Sequence, residues 1–207
     1  PNFYYALYPP QDEFKYPDTA YGVMSWWDYG YFIMQIAHRI PNANPGQAGA
    51  VQAGQFFTAQ NETAANEVAD KEGTKYVMID YQMVTGKFYA MAEWAGESVD
   101  EFYEYYGIPP QVAGGAPQTL YLLYYPAYYM STAVRLYNFN GEVVTPSINS
   151  TVVIPWSGES VYQQQGQLLN YKNIVGQPVF FSNYEDAQAY VASQTSGNYA
   201  ILGYDPF

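Results

Sequence analysis

Residues Ser25-Trp26-Trp27-Asp28-Tyr29-Gly30-Tyr31 constrain this chain more than any other stretch. Neighbouring side chains on a strand point to opposite faces, so a single core cannot take both indoles in extended backbone. Each indole offers one N–H donor and no acceptor, whereas ionised Asp28 offers acceptors only. Together they can complete both halves of one hydroxyl's hydrogen bonding. A buried site built that way rejects ligands lacking the hydroxyl, because its own polar groups would be left unpaired. The same residues also admit a purely structural reading: one tryptophan in the core, one on the surface, and Asp28 capping a helix.

The chain's 207 residues suffice for one large domain or two closely packed subdomains. Tyrosine stands out, with 25 residues against 7 Lys plus Arg. Its apolar ring and polar tip suit wet, sugar- or peptide-contacting surfaces, and equally a core and rim built from Tyr instead of Phe or Leu. A formal net charge of −12 argues against nucleic acid as a partner and against attraction to an anionic membrane. With no cysteine there is no disulfide framework, thiolate nucleophile or zinc–thiolate site. No run of about 18 apolar residues is present to span a bilayer. The nearest, Leu120 to Val134, is interrupted by Pro126 and crowded with tyrosines.

The patterning predicts a mixed α+β fold: a helix-rich N-terminal core with a small, partly parallel sheet, then a strand-rich C-terminal part. Residues 1–20, with four prolines, read as an irregular lead-in, and 20–25 as a strand delivering the tryptophans. A helix is expected over 31–40, stopped by Pro41, with His38 in its last turn as a dipole partner. Residues 41–53 read as a loop and 75–80 as a buried strand. Asn61 is placed as the cap of a helix over 62–72 that Gly73 ends. Residues 81–94 read as helical, with a kink at Gly86. Ser98 caps a helix to about Tyr106, whose acidic face is a solvated surface rather than a calcium site. Residues 107–117 form a linker, dividing a core over 1–113 from a second part over 114–207. That part begins with a Tyr-rich helix over 120–137 and a turn at Asn140-Gly141. Strands follow at 142–145, 151–155, 177–181 and 199–202, with a helix from Asn183 to about Ala192.

One histidine and no cysteine remove most hydrolytic constellations, and no nucleophile elbow, P-loop or dinucleotide fingerprint is present. A carboxylate pair for glycoside hydrolysis remains open, because nineteen acids permit many pairs. Two Asn-X-Ser/Thr patterns, Asn61-Glu62-Thr63 and Asn149-Ser150-Thr151, read as structurally incidental. The tryptophan stretch and Asp80 both follow strand C-termini, where open α/β sheets place their sites. Asp80, Met83, Lys87 and Met91 fall on one helix face.

The pentapeptide Trp26-Trp27-Asp28-Tyr29-Gly30 resembles the signature of the catalytic subunit of oligosaccharyltransferase, which N-glycosylates asparagine. Its continuation through His38-Arg39-Ile40-Pro41-Asn42-Ala43-Asn44-Pro45 is similar to the archaeal (AglB) branch. Asp80-Tyr81-Gln82-Met83 … Lys87-Phe88-Tyr89-Ala90-Met91 resembles the family's Asp-Lys motif in its longer spacing. The resemblance covers residues 20–140 and thins beyond. It implies that Trp26, Trp27 and Asp28 bind the Ser or Thr hydroxyl of an acceptor Asn-X-Ser/Thr polypeptide. It also implies that Tyr29, Gly30, Asp80, Met83 and Lys87 shape the site, and that Met91 packs on the threonine methyl, while core filling is the competing reading for Met91 and the favoured one for Met83. Burying one methyl is worth about 1 kcal/mol, which tunes Thr over Ser without defining the sequon.

By the same resemblance, the metal-binding acids (for Mn or Mg) and the lipid-linked oligosaccharide site lie in a multi-spanning membrane part outside this chain. No catalytic or metal-binding residue is then expected here. The chain reads as a C-terminal globular fragment at the external face of the cell membrane, inactive alone. Two other classes compete: a secreted Tyr-rich carbohydrate-binding module whose tryptophans stack on sugar rings, and a soluble glycoside hydrolase.

Overall fold

A three-stranded parallel sheet carries the N-terminal half. The computed structural model describes residues 19–112, 115–142, 151–164 and 166–203. Strand β1 (Gly22–Met24) lies at the centre, between β2 (Ile40–Pro41) and β3 (Thr74–Val77). Asn42 ties the sheet together: its side chain donates to the Glu72 carbonyl at 2.6 Å and accepts from the Thr74 hydroxyl at 3.1 Å. A Cβ at position 22 would lie 2.3 Å from that amide, so β1 passes Asn42 only as glycine.

Helices α1 (Gly30–Gln35), α2 (Ala50–Thr58), α3 (Glu62–Lys71), α4 (Tyr81–Val84) and α5 (Phe88–Ala95) surround this sheet in sequence. Two closely spaced helices, α6 (Pro126–Met130) and α7 (Thr132–Phe139), complete the layer. They enclose Met24, Trp26, Phe57, Met83, Phe88, Met91, Phe102, Tyr128 and Val134 in one core. Gly54 lets α2 close on α5, since a Cβ there would stand 2.6 Å from the Met91 carbonyl. Thr132 joins α7 to the end of α2 by donating both its amide and its hydroxyl to the Ala59 carbonyl.

The second sheet runs β5 (Thr119–Tyr124), β4 (Tyr103–Ile108), β7 (Gln167–Ile174), β6 (Thr151–Gln164), β8 (Val179–Phe181), and β9 (Asn198–Leu202) also pairs with β6. Only the β4–β7 pairing is parallel among the described ladders of this sheet. Helix α8 (Tyr184–Ser193) is capped by Asn183, whose side chain accepts from the Asp186 amide. A second core of Tyr106, Ile154, Ala200 and Leu202 lies against this sheet.

The mixed α+β class, the parallel sheet and the Asn61 and Asn183 caps are as the sequence predicts. Several elements differ. The helix expected over 31–40 ends at Gln35, because His38 takes a left-handed backbone (φ 51°) and the Arg39 amide bonds back to the Ile33 carbonyl. That six-residue closure turns the chain into β2, so His38 is not in the helix's last turn. The loop expected over 41–53 gives way at Ala50 to α2, whose small residues Ala50, Ala53 and Gly54 face the core. Strand β3 is mostly exposed instead of buried, with Tyr76 at 55%. The helical stretch over 81–94 breaks into two helices at a turn over 85–87, where the sequence puts the Gly86 kink.

Beyond Ser98 only a 3-10 turn (Val99–Glu101) forms before β4 begins, where the sequence suggests a helix to Tyr106. Residues 119–124 are a strand, not the start of a Tyr-rich helix, because β4 offers them six consecutive partners. The segment read as a linker connects these two antiparallel strands. The β6–β7 hairpin extends well past the predicted 151–155 strand. The lead-in and the predicted 142–145 strand fall largely outside the described residues.

Candidate functional site

The tryptophan stretch begins where β1 ends. Trp26 keeps an extended backbone (φ −65°, ψ 147°), and Trp27–Tyr29 then fold into a 3-10 turn closed by the Tyr29 amide on the Trp26 carbonyl. This break from strand geometry separates the two indoles. Trp26, 3% exposed, goes into the core, while Trp27 packs half-buried against it, with ring centres 6.4 Å apart. Gly30 follows against the 43–45 loop, where a Cβ would meet the Pro45 Cδ at 2.8 Å and the Ala43 carbonyl at 2.9 Å.

Two polar links fasten this turn to the Asp80–Met91 segment. The Lys87 ammonium donates to Asp28 Oδ2 at 2.6 Å, and the Tyr29 hydroxyl donates to Asp80 Oδ2 at 2.5 Å. Lys87 also stands over the Tyr29 ring, 4.0 Å from its centre, a cation–π arrangement. Asp80 uses its other oxygen to accept the Met83 amide at 3.0 Å, capping α4. The result is a short alternating chain of acids and donors: Asp28, Lys87, Tyr29, Asp80. Burial and the bond to Asp80 push the Tyr29 hydroxyl above its ordinary pKa, against the opposing pull of Lys87. Burial alone would lower the Lys87 ammonium, but its bonds to Asp28 and Tyr29 outweigh that and raise it. Both groups therefore keep their protons at neutral pH.

Asp28 is asymmetric. Oδ2 is held by Lys87, while Oδ1 is buried and has no hydrogen-bond partner. A buried acceptor without a donor costs about 1–3 kcal/mol, so Oδ1 is an unsatisfied acceptor in this conformation.

Of the residues singled out in the sequence, Asp28, Tyr29, Asp80 and Lys87 are brought into direct contact, with Trp26, Trp27 and Gly30 framing them. Met83 and Met91 lie elsewhere in kind: both are completely buried. Met83 accepts a weak 3.8 Å contact from the Ser25 hydroxyl behind the tryptophans. Met91 belongs to the core between α2 and α5 and offers no exposed surface in this conformation. Burial of Trp26 also leaves it no free face on which a sugar ring could stack. The Tyr29–Asp80 pairing spans 51 residues and the Asp28–Lys87 pairing 59, distances at which no sequence periodicity carries information. Among the described residues, no three His, Asp or Glu side chains converge as ligands for a metal ion. Among them, too, no helix is long and apolar enough to cross a membrane.

Comparison with known proteins places this geometry in a family. A family profile described as the AglB core domain matches residues 2–84. The chain is 49% identical over 116 residues to dolichyl-phosphooligosaccharide-protein glycotransferase 3 of Archaeoglobus fulgidus, covering 51% of this chain and 13% of that protein. Over 217 aligned residues it is 36% identical to the dolichyl-monophosphooligosaccharide–protein glycotransferase AglB of Haloferax volcanii, covering 98% of this chain and 20% of that protein. An A. fulgidus oligosaccharyltransferase crystallised with Zn and sulfate superposes with a TM-score of 0.56 at 35% identity, over 76% of this chain and 23% of that one. The same oligosaccharyltransferase tethered to an acceptor peptide containing the NVT sequon gives 0.54 at 34% identity, over 74% and 21%. The chain belongs to the AglB family of archaeal oligosaccharyltransferases. It spans about a fifth or less of the length of these curated relatives.

Proposed function

We propose that this chain is the acceptor-reading part of a membrane oligosaccharyltransferase that transfers a lipid-linked oligosaccharide to the asparagine of Asn-X-Ser/Thr. In this reading the Ser or Thr hydroxyl of the acceptor donates to Asp28 Oδ1, and an indole N–H of the Trp26-Trp27 pair donates to the hydroxyl oxygen. The observation that carries it is the state of Asp28: one carboxylate oxygen fixed by Lys87, the other buried and unpartnered. Support comes from relatives named as glycotransferases and from a related enzyme captured with an NVT acceptor peptide.

Lys87 and Asp80 act as positioning residues. Lys87 orients the Asp28 carboxylate, and Asp80 anchors Tyr29 while starting α4. Met91 would reach the threonine methyl only if the 85–95 segment shifts, because its side chain is wholly buried here. The transfer step, the lipid-linked donor and a divalent metal, Mn or Mg by the family resemblance, are assigned to parts of the enzyme beyond these residues. The Zn-bound crystal form of a relative is consistent with a metal in such an enzyme. The domain would then work at the external face of the membrane and be inactive alone.

The test is transfer to an Asn-X-Thr peptide by the full-length enzyme carrying Asp28→Ala. The rate should fall by about a hundredfold or more, as expected when a site loses the group that reads a substrate hydroxyl. Transfer at the parent rate would refute the assignment.

A further inference from the structure

None of the motif residues lines the cleft of about 420 Å³ that opens in the strand-rich half. Its exposed walls come from Tyr125, Trp156, Tyr184 and Tyr199, with the fully buried Tyr106 behind them, and Lys172 stands among them. We propose that this cleft binds a neutral saccharide of one or two rings.

The volume falls in the range of small-ligand pockets, roughly 300–1,000 Å³, and the lining follows their usual pattern of aromatic walls with a few convergent polar groups. Here the polar groups form one connected set. Glu104 accepts from both the Lys172 ammonium and the Tyr125 hydroxyl, and the Tyr125 and Tyr106 hydroxyls bond to each other. Lys172 lies 4.4 Å from the Trp156 ring centre and 5.8 Å from that of Tyr106. Burial raises the Tyr106 hydroxyl against the lowering bond from Tyr125, and burial with the bonds to Glu104 and Tyr106 raises that of Tyr125, so both remain protonated at neutral pH.

Ligand class follows from what this set has left to offer. The ammonium charge is already matched by Glu104, so the cleft presents no surplus positive charge for a phosphate or carboxylate, on a chain of net charge −12. An ammonium has three donors and a carboxylate several acceptor sites, of which the internal bonds use only part. Lys172 therefore lines the cleft with N–H groups to spare, while its partner Glu104 lies behind the lining, and a sugar hydroxyl oxygen can take the free N–H. The aromatic walls suit the apolar C–H faces of a pyranose ring.

The backbone is arranged around Trp156. Strand β6 carries a register shift between Trp156 and Glu159, with Gly158 at φ 70°. Such bulges bend a strand and re-aim a side chain, and they are over-represented beside functional sites. This site shares no side chain with the acceptor site, so the two assignments stand or fall separately.

Saturation-transfer NMR on the 207-residue chain tests the proposal, with N,N′-diacetylchitobiose, maltose and mannobiose as probes and decaproline and inorganic phosphate for comparison. At least one disaccharide should receive saturation on its ring protons at millimolar concentration. Trp156→Ala and Tyr184→Ala should each weaken that binding about tenfold, as loss of an aromatic contact does. Glu67→Gln, on an exposed face of α3, should leave it unchanged. Circular dichroism melts establish that each variant folds, and if Trp156→Ala does not, Tyr184→Ala at the start of α8 decides. No transfer to any of the three disaccharides, binding unmoved in the folded variants, or binding of decaproline or phosphate alone would overturn the proposal.

Discussion

Asp28 shows how one residue type acquires two roles from its surroundings. Its Lys87-bound oxygen fixes the carboxylate plane, while the other oxygen is buried without a hydrogen-bond donor. Because the pair is partly exposed, 23% for Lys87 and 36% for Asp28, the ion pair itself adds little to stability. Lys87→Met should therefore change unfolding free energy by less than about 1 kcal/mol in urea titrations. The same variant should raise the acceptor KM in the full enzyme, because the carboxylate loses its orientation. The pH dependence has a definite sign. Lys87 and Tyr29 both bind their protons more tightly when folded, so their contribution is complete below the unfolded values of 10.5 and 10.0. It is lost as pH rises through the folded values. Acceptor affinity should thus hold on the neutral and mildly alkaline side. The donor and acceptor complement of the Trp26-Trp27-Asp28 run is legible in the residue types alone, while the unequal oxygens of Asp28 depend on a lysine 59 positions away.

At the scale of elements, close approach at glycine controls how the site is assembled. Gly30→Ala would drive a methyl against the Ala43 carbonyl and Pro45, and Gly54→Ala would press α2 off α5. Each should cost about 1–3 kcal/mol, measured by denaturant unfolding, and Gly30→Ala should also weaken acceptor binding by displacing the turn. Asp80→Ala should cost about 1 kcal/mol or more through loss of the α4 cap, whereas Asp80→Asn keeps an acceptor for the Met83 amide and should be milder. Elements with local signals were readable: Asn61 and Asn183 as caps, Asn140 in the left-handed turn, and β1 as a short apolar run. Those fixed by distant partners were not. The first turns of α2 face the core with Ala50, Ala53 and Gly54, too small to show a hydrophobic stripe, and β4 and β5 carry tyrosine and leucine runs whose conformation is decided by each other and by β7. Helix-favouring acids after Ser98 misdirect the reading because pairing with β5 overrides local propensity.

At the scale of the whole molecule, a subset of the described tyrosines acts as buried structure. Tyr103 and Tyr106 are pushed up to about 12 by burial, and Tyr128, in the core, is raised for the same first reason. Between the unfolded value of 10.0 and about 12 the unfolded chain loses protons that the folded one keeps, so stability must fall with rising pH across that window. Absorbance at 295 nm should accordingly show these phenols ionising in one cooperative step with unfolding, not as a gradual titration. The larger assignment rests on the site: the 27–29 turn tied to Asp80 and Lys87, with one buried, unpaired carboxylate oxygen. Its most direct test compares full-length enzyme acting on Asn-X-Thr and on the isosteric Asn-X-Val peptide, with and without Asp28→Ala. The account predicts that the parent enzyme prefers Thr by about 10⁴-fold, the discrimination of a site built to bond a hydroxyl, and that Asp28→Ala removes most of that preference. An Asp28→Ala enzyme that still prefers Thr by the parent factor would contradict it.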